Sequence, residues 1–296
     1  MQPILPYLLS PTCYYNQDEI LLRLGIIAMA LYTDTHCHLD FDRFDEDRED
    51  MLKRAWEAGL VWMLNPGIDI KTNHAAILLS KRYPGRINAA VGIHPNYGKP
   101  WTTDLLQNLR QQAQQPEVVA IGEIGLDYYR HHTPREQQKI MFQAQLDLAM
   151  ELSLPVIIHN RDSIHDLLPI LKAWHQRLTL SNHPLAQRPG VLHSYSGDFK
   201  SAMTAITMNF FIGISGPVTL KNAQKRKEVT RDLPIGKILL ETDSPFLAPH
   251  PHRGKRNEPA FIPLIASEIA QLKNTHVTTV AEITHRNAQY LFNSFQ

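Results

Sequence analysis

Residues 31–38 read Leu-Tyr-Thr-Asp-Thr-His-Cys-His, a short apolar run that ends in two histidines one residue apart. Side chains of an extended segment alternate between its two faces, so His36 and His38 are expected to point to the same side. Two imidazoles that converge from one strand end can hold a metal ion, whereas Cys37 faces the other way as a small buried residue. The pair alone is weak evidence, and its meaning depends on the other apolar runs.

Similar apolar runs alternate along the chain with amphipathic, charge-flanked segments. Strands are predicted at residues 31–35, 60–66, 87–93, 118–124, 155–159, 191–194, 210–214 and 238–242. Helices are predicted at residues 45–58, 71–82, 135–152, 163–175, 221–231, 258–272 and 278–293. Thr133, Pro134 and Glu136 predict a capping box at the start of the segment 135–152. Eight strands with intervening helices predict an α/β fold, a (β/α)8 TIM-type barrel in a single domain.

The composition is that of a globular protein with a sizeable core, since 43% of its 296 residues are hydrophobic. A net charge of +1 gives no long-range field for nucleic acid or membranes, so any polyanion must be bound by a local patch or a bound metal. Only Cys13 and Cys37 are present, which favours a reducing compartment and predicts a cytoplasmic location. No apolar run reaches the roughly 18 residues of a membrane span, so no membrane contact is expected. No protein partner is inferable.

Residues 1–30 differ from the rest and are expected to be a separate N-terminal extension. Their first basic residue is Arg23, and Asp18 precedes the apolar part, which does not fit an export signal. Met29 lies just before the first predicted strand. We therefore expect Met29 to be the natural start, residues 1–28 to be disordered or mis-assigned, and residues 31–296 to form the barrel.

Polar residues follow six of the predicted strands at their carboxyl ends, where barrel enzymes carry their chemistry. Each residue by itself is more simply explained as a cap or loop anchor. A buried polar group without a partner is costly, however, and six strand ends that behave alike favour a common site. These residues are His36, His38, His94, Glu123, His159, His193 and Asp243.

The ligand types in this set predict a pair of metal ions. The expected ligands are His36, His38, Glu123, His159, His193 and Asp243. Six ligands are too many for one tetrahedral ion, and without a thiolate the candidates are Mg²⁺, Mn²⁺ and Zn²⁺. The carboxylate of Glu123 can bridge two ions, and Asp243 can bind one ion and accept a proton from water. Water activated by two metals predicts a hydrolase.

At this point the sequence resembles the TatD family of metal-dependent deoxyribonucleases, within the amidohydrolase superfamily, over residues 31–293. The motifs are Asp-Thr-His-Cys-His-Leu-Asp at 34–40, Gly-Glu-Ile-Gly-Leu-Asp-Tyr-Tyr at 122–129, Pro-Val-Ile-Ile-His-Asn-Arg-Asp at 155–162 and Glu-Thr-Asp-Ser-Pro-Phe-Leu-Ala-Pro at 241–249, with Arg-Gly-Lys-Arg-Asn-Glu-Pro at 253–259. These strings are specific for the family and far less specific for the substrate.

The resemblance implies a (β/α)8 barrel and Mg²⁺-dependent hydrolysis of DNA, often from the 3′ end. It implies one metal held by His36, His38, Glu123 and Asp243, and a second held by Glu123, His159 and His193. The family commonly has His-Cys-Phe-Ser-Gly where residues 193–197 read His-Ser-Tyr-Ser-Gly. The hydroxyl that Tyr195 adds is expected to affect substrate contacts more than chemistry.

Other residues are candidates for binding the substrate. His94 and Arg161 are expected to hold phosphate oxygens, because an arginine offers a planar fork of donors. The alternatives are a loop role for His94 and a pair between Arg161 and either Asp162 or Asp127. Arg253 lies in a basic stretch, 250–257, that either contacts a nucleic-acid backbone or is simply solvated.

Aromatic residues near the strand ends, Tyr128, Tyr129 and Tyr195, are candidates for stacking on unpaired bases or for ordinary packing. The function we predict is a 3′–5′ exodeoxyribonuclease on single strands or strand ends, with Glu123 and Asp243 catalytic and Asp243 the general base. The alternative is a metal-dependent esterase such as a D-aminoacyl-tRNA deacylase. A third reading, a barrel with purely structural metals, is disfavoured by the complete ligand set.

Overall fold

The computed structural model describes residues 30–98, 101–130 and 132–293, so the predictions for residues 1–28 and Met29 lie outside the described residues. Eight strands are present in the predicted order. They are β1 (Tyr32–Asp34), β2 (Leu60–Pro66), β3 (Ile87–Val91), β4 (Val118–Asp127), β5 (Val156–Arg161), β6 (Gly190–Leu192), β7 (Phe211–Ile214) and β8 (Ile238–Leu240). β4 extends beyond the predicted segment 118–124, so that Glu123 and Asp127 both belong to the strand.

Helices connect the strands and cover the outside of the sheet. They are α1 (Arg48–Glu57), α2 (Ile70–Arg82), α3 (Thr103–Ala113), α4 (Arg135–Leu152), α5 (Ile164–Leu180), α6 (Phe199–Thr207), α7 (Gln224–Asp232), α8 (Ile262–Leu272) and α9 (Val277–Phe292). The helices α3 and α6 were not among the predicted segments. Within the described ranges, no helix is both long enough and apolar enough to cross a membrane.

The capping box predicted at the start of α4 is wrong. Pro134 occupies the N-cap position, and no side chain caps the helix. Thr133 lies one residue too early and is buried. A proline has no side-chain acceptor, so the helix instead relies on the fixed backbone angle that proline supplies at its start.

The strands form one parallel sheet in the order β1 to β8, and the (β/α)8 barrel is confirmed. Beyond the ends of β8 and β1, further backbone hydrogen bonds draw the two edges together. The amide of Thr35 donates to the carbonyl of Leu240 at 3.0 Å, and the amide of Asp243 donates to the carbonyl of His36 at 2.8 Å. This contact brings the residues that follow β1 beside those that follow β8.

Buried apolar side chains fill the barrel, and a larger cluster joins the sheet to the helices. Trp62 and Leu64, alternate residues of β2, belong to the inner cluster together with residues of β3 to β8. The ring of Phe292, at the end of α9, packs 5.7 Å from the ring of Trp62. One end of the barrel is therefore packed with apolar side chains, and the polar residues lie at the other end.

Candidate metal centre

The two histidines after β1 converge as the alternation of side chains predicts. Their Nε2 atoms are 3.2 Å apart, and both side chains are almost fully buried. The Nδ1 of His38 lies 3.0 Å from the carbonyl of Pro66, and since a carbonyl can only accept, Nδ1 carries the proton. The Nε2 of His38 therefore presents a lone pair to the centre. Cys37 faces away and is fully buried, with its Sγ 3.5 Å from the carbonyl of Leu64.

Glu123 lies between two groups of histidines and turns one oxygen to each. Its Oε2 is 3.5 Å from the Nε2 of His36 and 3.7 Å from the Nε2 of His38. Its Oε1 is 2.6 Å from the Nδ1 of His159 and 3.7 Å from the Nε2 of His193. The carboxylate is 4% exposed, so it is in contact with these histidines rather than with solvent.

Asp243 joins the group on the side of His36 and His38. Its Oδ1 lies 3.5 Å from the Nε2 of His38 and 3.9 Å from the Nε2 of His36. The backbone of Asp243 has a φ of 57°, a left-handed conformation that aspartate tolerates better than most residues. The hydrogen bond from its amide to the carbonyl of His36 holds this turn against the residues that follow β1.

Two buried acids stand behind the histidines, and the sequence did not single them out. Glu241 Oε1 lies 3.2 Å from the Nδ1 of His193, and Asp127 Oδ2 lies 3.3 Å from the Nε2 of His159. Both acids lie in the quoted motifs, on the same strand ends as the expected ligands. The only sequence feature that could have identified these two acids is their position at a strand end. That feature does not distinguish a metal ligand from a residue that orients a ligand.

Gly125 allows β4 and β5 to come close enough for the contact between Asp127 and His159. It has a φ of 142°, and a Cβ at this position would lie 2.0 Å from the carbonyl oxygen of His159. Any larger residue would separate the strands there. The close approach puts Asp127 and His159 next to each other at the barrel mouth.

His94 also faces the centre. Its Nε2 lies 3.7 Å from Glu123 Oε1, and its ring is 4.4 Å from that of His159. The amide of Asn96 donates to its Nδ1 at 3.1 Å, so the proton of the neutral ring is on Nε2. Burial and the neighbouring His159 lower the pKa of His94 to about 3, which keeps it neutral at physiological pH.

The acids and histidines of the centre shift each other's pKa values. Burial alone would raise the pKa of Glu123, but the surrounding imidazoles hold it well below its ordinary value. Burial also opposes protonation of His193, yet the carboxylates of Glu241 and Glu123 raise its pKa to about 10. A divalent cation bound here would compete with protons for these imidazoles.

The donor set fits divalent metal ions. Ligands about 2.1 Å from one ion lie roughly 3.0–3.5 Å from each other, close to most separations in this cluster. Two triads have ligand atoms all within 4.8 Å of one another, His36 with His38 and Glu123, and Glu123 with His159 and His193. Two further triads can also form, His36 with His193 and Asp243, and His94 with Asp127 and His159. The identity of an ion does not follow from this geometry.

The residues expected to contact the substrate have different surroundings in the structure. Arg161 is exposed and pairs with neither Asp162 nor Asp127; its guanidinium carbon lies 3.9 Å from the ring centre of Tyr129. Arg253 is exposed in the loop after β8. Tyr195 is 7% exposed, and its hydroxyl donates to the carbonyl of Asp198 at 2.7 Å. This hydroxyl therefore holds a turn, and we do not retain it as a substrate contact.

The tyrosines expected to stack also differ from each other. Tyr128 is half-buried, with Arg135 4.3 Å from its ring centre and its hydroxyl donating to Asp166 at 2.7 Å. Tyr129 is 57% exposed beside the centre. Of these two, Tyr129 has the more exposed ring, with Arg161 over one face.

Comparisons with known proteins agree on the family. A sequence model described as TatD related DNase matches residues 33–293. An uncharacterized metal-dependent hydrolase, YabD of Bacillus subtilis (strain 168), is 39% identical over 88% of this chain and 98% of its own length. A protein named 3′-5′ ssDNA/RNA exonuclease TatD, from Erwinia tasmaniensis, is 35% identical over 88% of this chain and 99% of its own.

A solved structure gives the same result. YjjV, a TatD homologue from Escherichia coli K12, superimposes with a TM-score of 0.81 at 30% identity, over 90% of this chain and 99% of that one. The barrel, the buried cluster of histidines and acids, and the matched sequence agree. The chain therefore belongs to the TatD-related DNase family and is a metal-dependent hydrolase that acts on ester bonds.

Proposed function

We propose that this protein is a 3′–5′ exonuclease that hydrolyses single-stranded DNA or strand ends with two divalent metal ions. The observation that carries the two-metal proposal is the position of Glu123, whose oxygens face different pairs of histidines. One carboxylate between two sets of imidazoles is the arrangement expected of a bridging ligand. The names of relatives such as the Erwinia ssDNA/RNA exonuclease support a single-stranded nucleic acid as the substrate, and DNA is the one we propose.

The ligands would divide as the family resemblance implies. One ion would be held by His36, His38, Glu123 and Asp243, and the other by Glu123, His159 and His193. We propose Mg²⁺ as the physiological ion, with Mn²⁺ and Zn²⁺ as alternatives that this donor set also accepts. Bound ions of this kind act as Lewis acids towards the phosphate and make water nucleophilic at neutral pH.

Asp243 would act as the general base. Its side chain is 14% exposed, so it is open to water while remaining within the cluster. Burial alone would raise its pKa, but the hydrogen bond with His38 and the charges of the nearby histidines lower it. The ionised carboxylate can accept a proton from attacking water and pass it to the leaving 3′ oxygen of the remaining strand.

Two side chains would hold the phosphate while this happens. His94 keeps its Nε2 proton towards the centre and can donate it to a non-bridging oxygen. Arg161 brings a permanent positive charge to the rim, two residues after His159. The donors act on the charge that develops on the phosphate in the transition state.

An esterase acting on D-aminoacyl-tRNA is the alternative, because the same centre would also activate water against a carboxylic ester. The exonuclease-named relatives favour the nuclease. A cytoplasmic location fits either activity, and the free, buried thiol of Cys37 supports a reducing compartment.

The test compares the two substrates directly. The purified protein is given an oligonucleotide labelled at the 5′ end, the same strand blocked at its 3′ end, or D-aminoacyl-tRNA, each with Mg²⁺ and with chelator. We expect stepwise shortening of the open strand only, abolished by chelator and by Glu123→Gln. Glu136→Gln, on the exposed start of α4, is the matched control and should retain activity. Preferential deacylation of the tRNA would overturn the proposal.

A further inference from the structure

Two arginine–aromatic pairs lie at the mouth of the barrel. In the first, the guanidinium carbon of Arg43 is 5.8 Å from the ring centre of Phe246. In the second, that of Arg161 is 3.9 Å from the ring centre of Tyr129. Phe246 is 41% exposed and Tyr129 is 57% exposed, although large aromatic rings are usually more deeply buried.

The pairs face each other across the metal centre. Arg43 follows β1 and Phe246 follows β8, whereas Tyr129 follows β4 and Arg161 ends β5. In a ring of eight strands ordered β1 to β8, the junction of β8 with β1 is opposite the junction of β4 with β5. The pairs are therefore on opposite sides of the mouth.

The first pair is in contact with one half of the centre. The ring of Phe41 stacks on that of His38 with centroids 4.7 Å apart, and its edge lies against Phe246 at 5.8 Å. The rings of His38 and Phe246 are 6.2 Å apart. Phe246 is thus held at a fixed place beside the histidine that faces Glu123 Oε2.

The second pair adjoins the other half. The amide of Tyr129 donates to Oδ1 of Asp127 at 3.0 Å, and Oδ2 of Asp127 faces His159. Arg161 is aligned with Asp127 in the register of β4 and β5. Tyr129 and Arg161 are therefore fixed beside the histidine that faces Glu123 Oε1.

Neither guanidinium has a carboxylate partner in the part of the chain that the structure describes. Each arginine lies against a ring and keeps its donors open to solvent. A ring with an adjoining cation is suited to a nucleotide, because the base stacks on the ring and the phosphate accepts hydrogen bonds from the guanidinium. Bases must be unpaired to stack in this way, so the arrangement selects single strands over duplexes.

We propose that the Phe246–Arg43 and Tyr129–Arg161 pairs each bind one nucleotide of a single-stranded nucleic acid, on either side of the phosphate that is cleaved. This inference rests on the proposed nuclease function and adds the residues that recognise the strand. The phosphate between the two nucleotides then lies over the metal centre.

Three substrates test the proposal in the full-length protein with its metal. They are a single-stranded oligonucleotide, the same strand with abasic sites at the two terminal positions, and a base-free diester, a short deoxyribose-phosphate oligomer that is abasic at every position and carries no aromatic ring. Phe246→Ala and Tyr129→Ala should each raise KM for the normal strand by about 5-fold or more, with kcat changed by less than about 2-fold. Hydrolysis of the base-free diester should not change, and the abasic strand should hardly distinguish the variants from the natural protein.

Two further sets of variants distinguish the loss of stacking from a general loss of protein stability or activity. Phe246→Trp and Tyr129→Trp keep a ring and should restore KM. Tyr290→Ala removes an aromatic residue that is 52% exposed on α9, at the other end of the barrel, and should leave all three rates unchanged.

The proposal is overturned if KM for the normal strand is unchanged in both alanine variants, or if the base-free diester loses activity in parallel. Anisotropy of a labelled strand blocked at its 3′ end, measured with the metal present, reports binding without hydrolysis. If the natural protein binds the blocked strand but does not shorten the open strand with Mg²⁺, the exonuclease function fails, while weaker binding by the alanine variants still supports stacking. Equal binding by natural and variant proteins refutes stacking even where cleavage occurs.

Discussion

The Nε2 of His159 lies 3.3 Å from Oδ2 of Asp127, while the Nδ1 of the same ring faces Glu123. Asp127 is itself fixed, because Asn96 donates to its Oδ2 and the backbone amide of Arg130 donates to its Oδ1, each at 2.9 Å. Asp127 therefore accepts the Nε2 proton and leaves Nδ1 as the nitrogen available to an ion. Acids behind metal-binding histidines commonly orient the ring in this way.

We predict that Asp127→Asn weakens metal binding by about 10–100-fold at one of two sites, because the asparagine no longer fixes the tautomer of His159. Isothermal titration with Mn²⁺ measures both affinities. Asp166→Asn, on the nearby surface of α5, is the control. Two unchanged affinities in Asp127→Asn would show that Asp127 does not orient the ligand.

Glu123→Gln should remove metal from both sites, since each oxygen of Glu123 faces a different set of histidines. We expect metal content below two ions per chain and a fall in kcat of at least about 100-fold, the scale seen when a group that stabilises the transition state is lost. His159→Ala should deplete one site only. Metal content by mass spectrometry distinguishes the two variants, and a fully loaded Glu123→Gln protein would argue against bridging.

Thr242 supports a buried carboxylate where β8 meets β1. Its Oγ1 donates to Oδ2 of Asp34 at 2.5 Å and its amide donates to Oδ1 at 3.0 Å, and Asp34 is fully buried. Thr242→Val leaves one carboxylate oxygen without its donor, and we predict a loss of about 1.5–3 kcal/mol in the free energy of unfolding. Thr242→Ser keeps the hydroxyl and should lose far less. Urea denaturation measures both, and equal losses would assign the effect to packing.

Asp47 should make stability depend on pH. Arg256 binds both of its oxygens at 2.7 Å, and Arg54 binds Oδ2 at 2.9 Å. The pKa of Asp47 is lowered to about 2, and the hydrogen bond from Arg256 contributes most to this shift. Since the folded value lies below the unfolded value of about 3.9, these pairs stabilise the fold above pH 4. Their contribution is lost as pH falls from about 4 to about 2.

Urea midpoints of the natural protein and Asp47→Asn between pH 2.5 and pH 7 test this linkage. The difference between them should be constant above pH 5 and shrink below pH 4. A difference that persists unchanged at pH 2.5 would mean that Asp47 acts through its shape rather than its charge. Because the side chains are partly exposed, salt should also reduce the difference.

The family and the barrel were predictable from local features of the sequence. Alternating apolar runs and helical segments repeat along the chain, and a polar residue at a strand end is visible without knowing its neighbours. The convergence of His36 and His38 follows from the alternation of an extended segment. These features depend on residues close in sequence, so they can be recognised in the sequence without the structure.

What only the tertiary structure decided is which groups meet across the barrel mouth. Asp127 lies 32 residues from His159, and Asp34 lies 208 residues from Thr242. Tyr195 is not a substrate contact, because its hydroxyl donates to the carbonyl of Asp198 in its own turn. Arg161 stacks on Tyr129 instead of pairing with an acid. The sequence alone determined which polar residues lie near the carboxyl end of each strand; barrel closure, which fixes strand register and spacing, decided which of them touch.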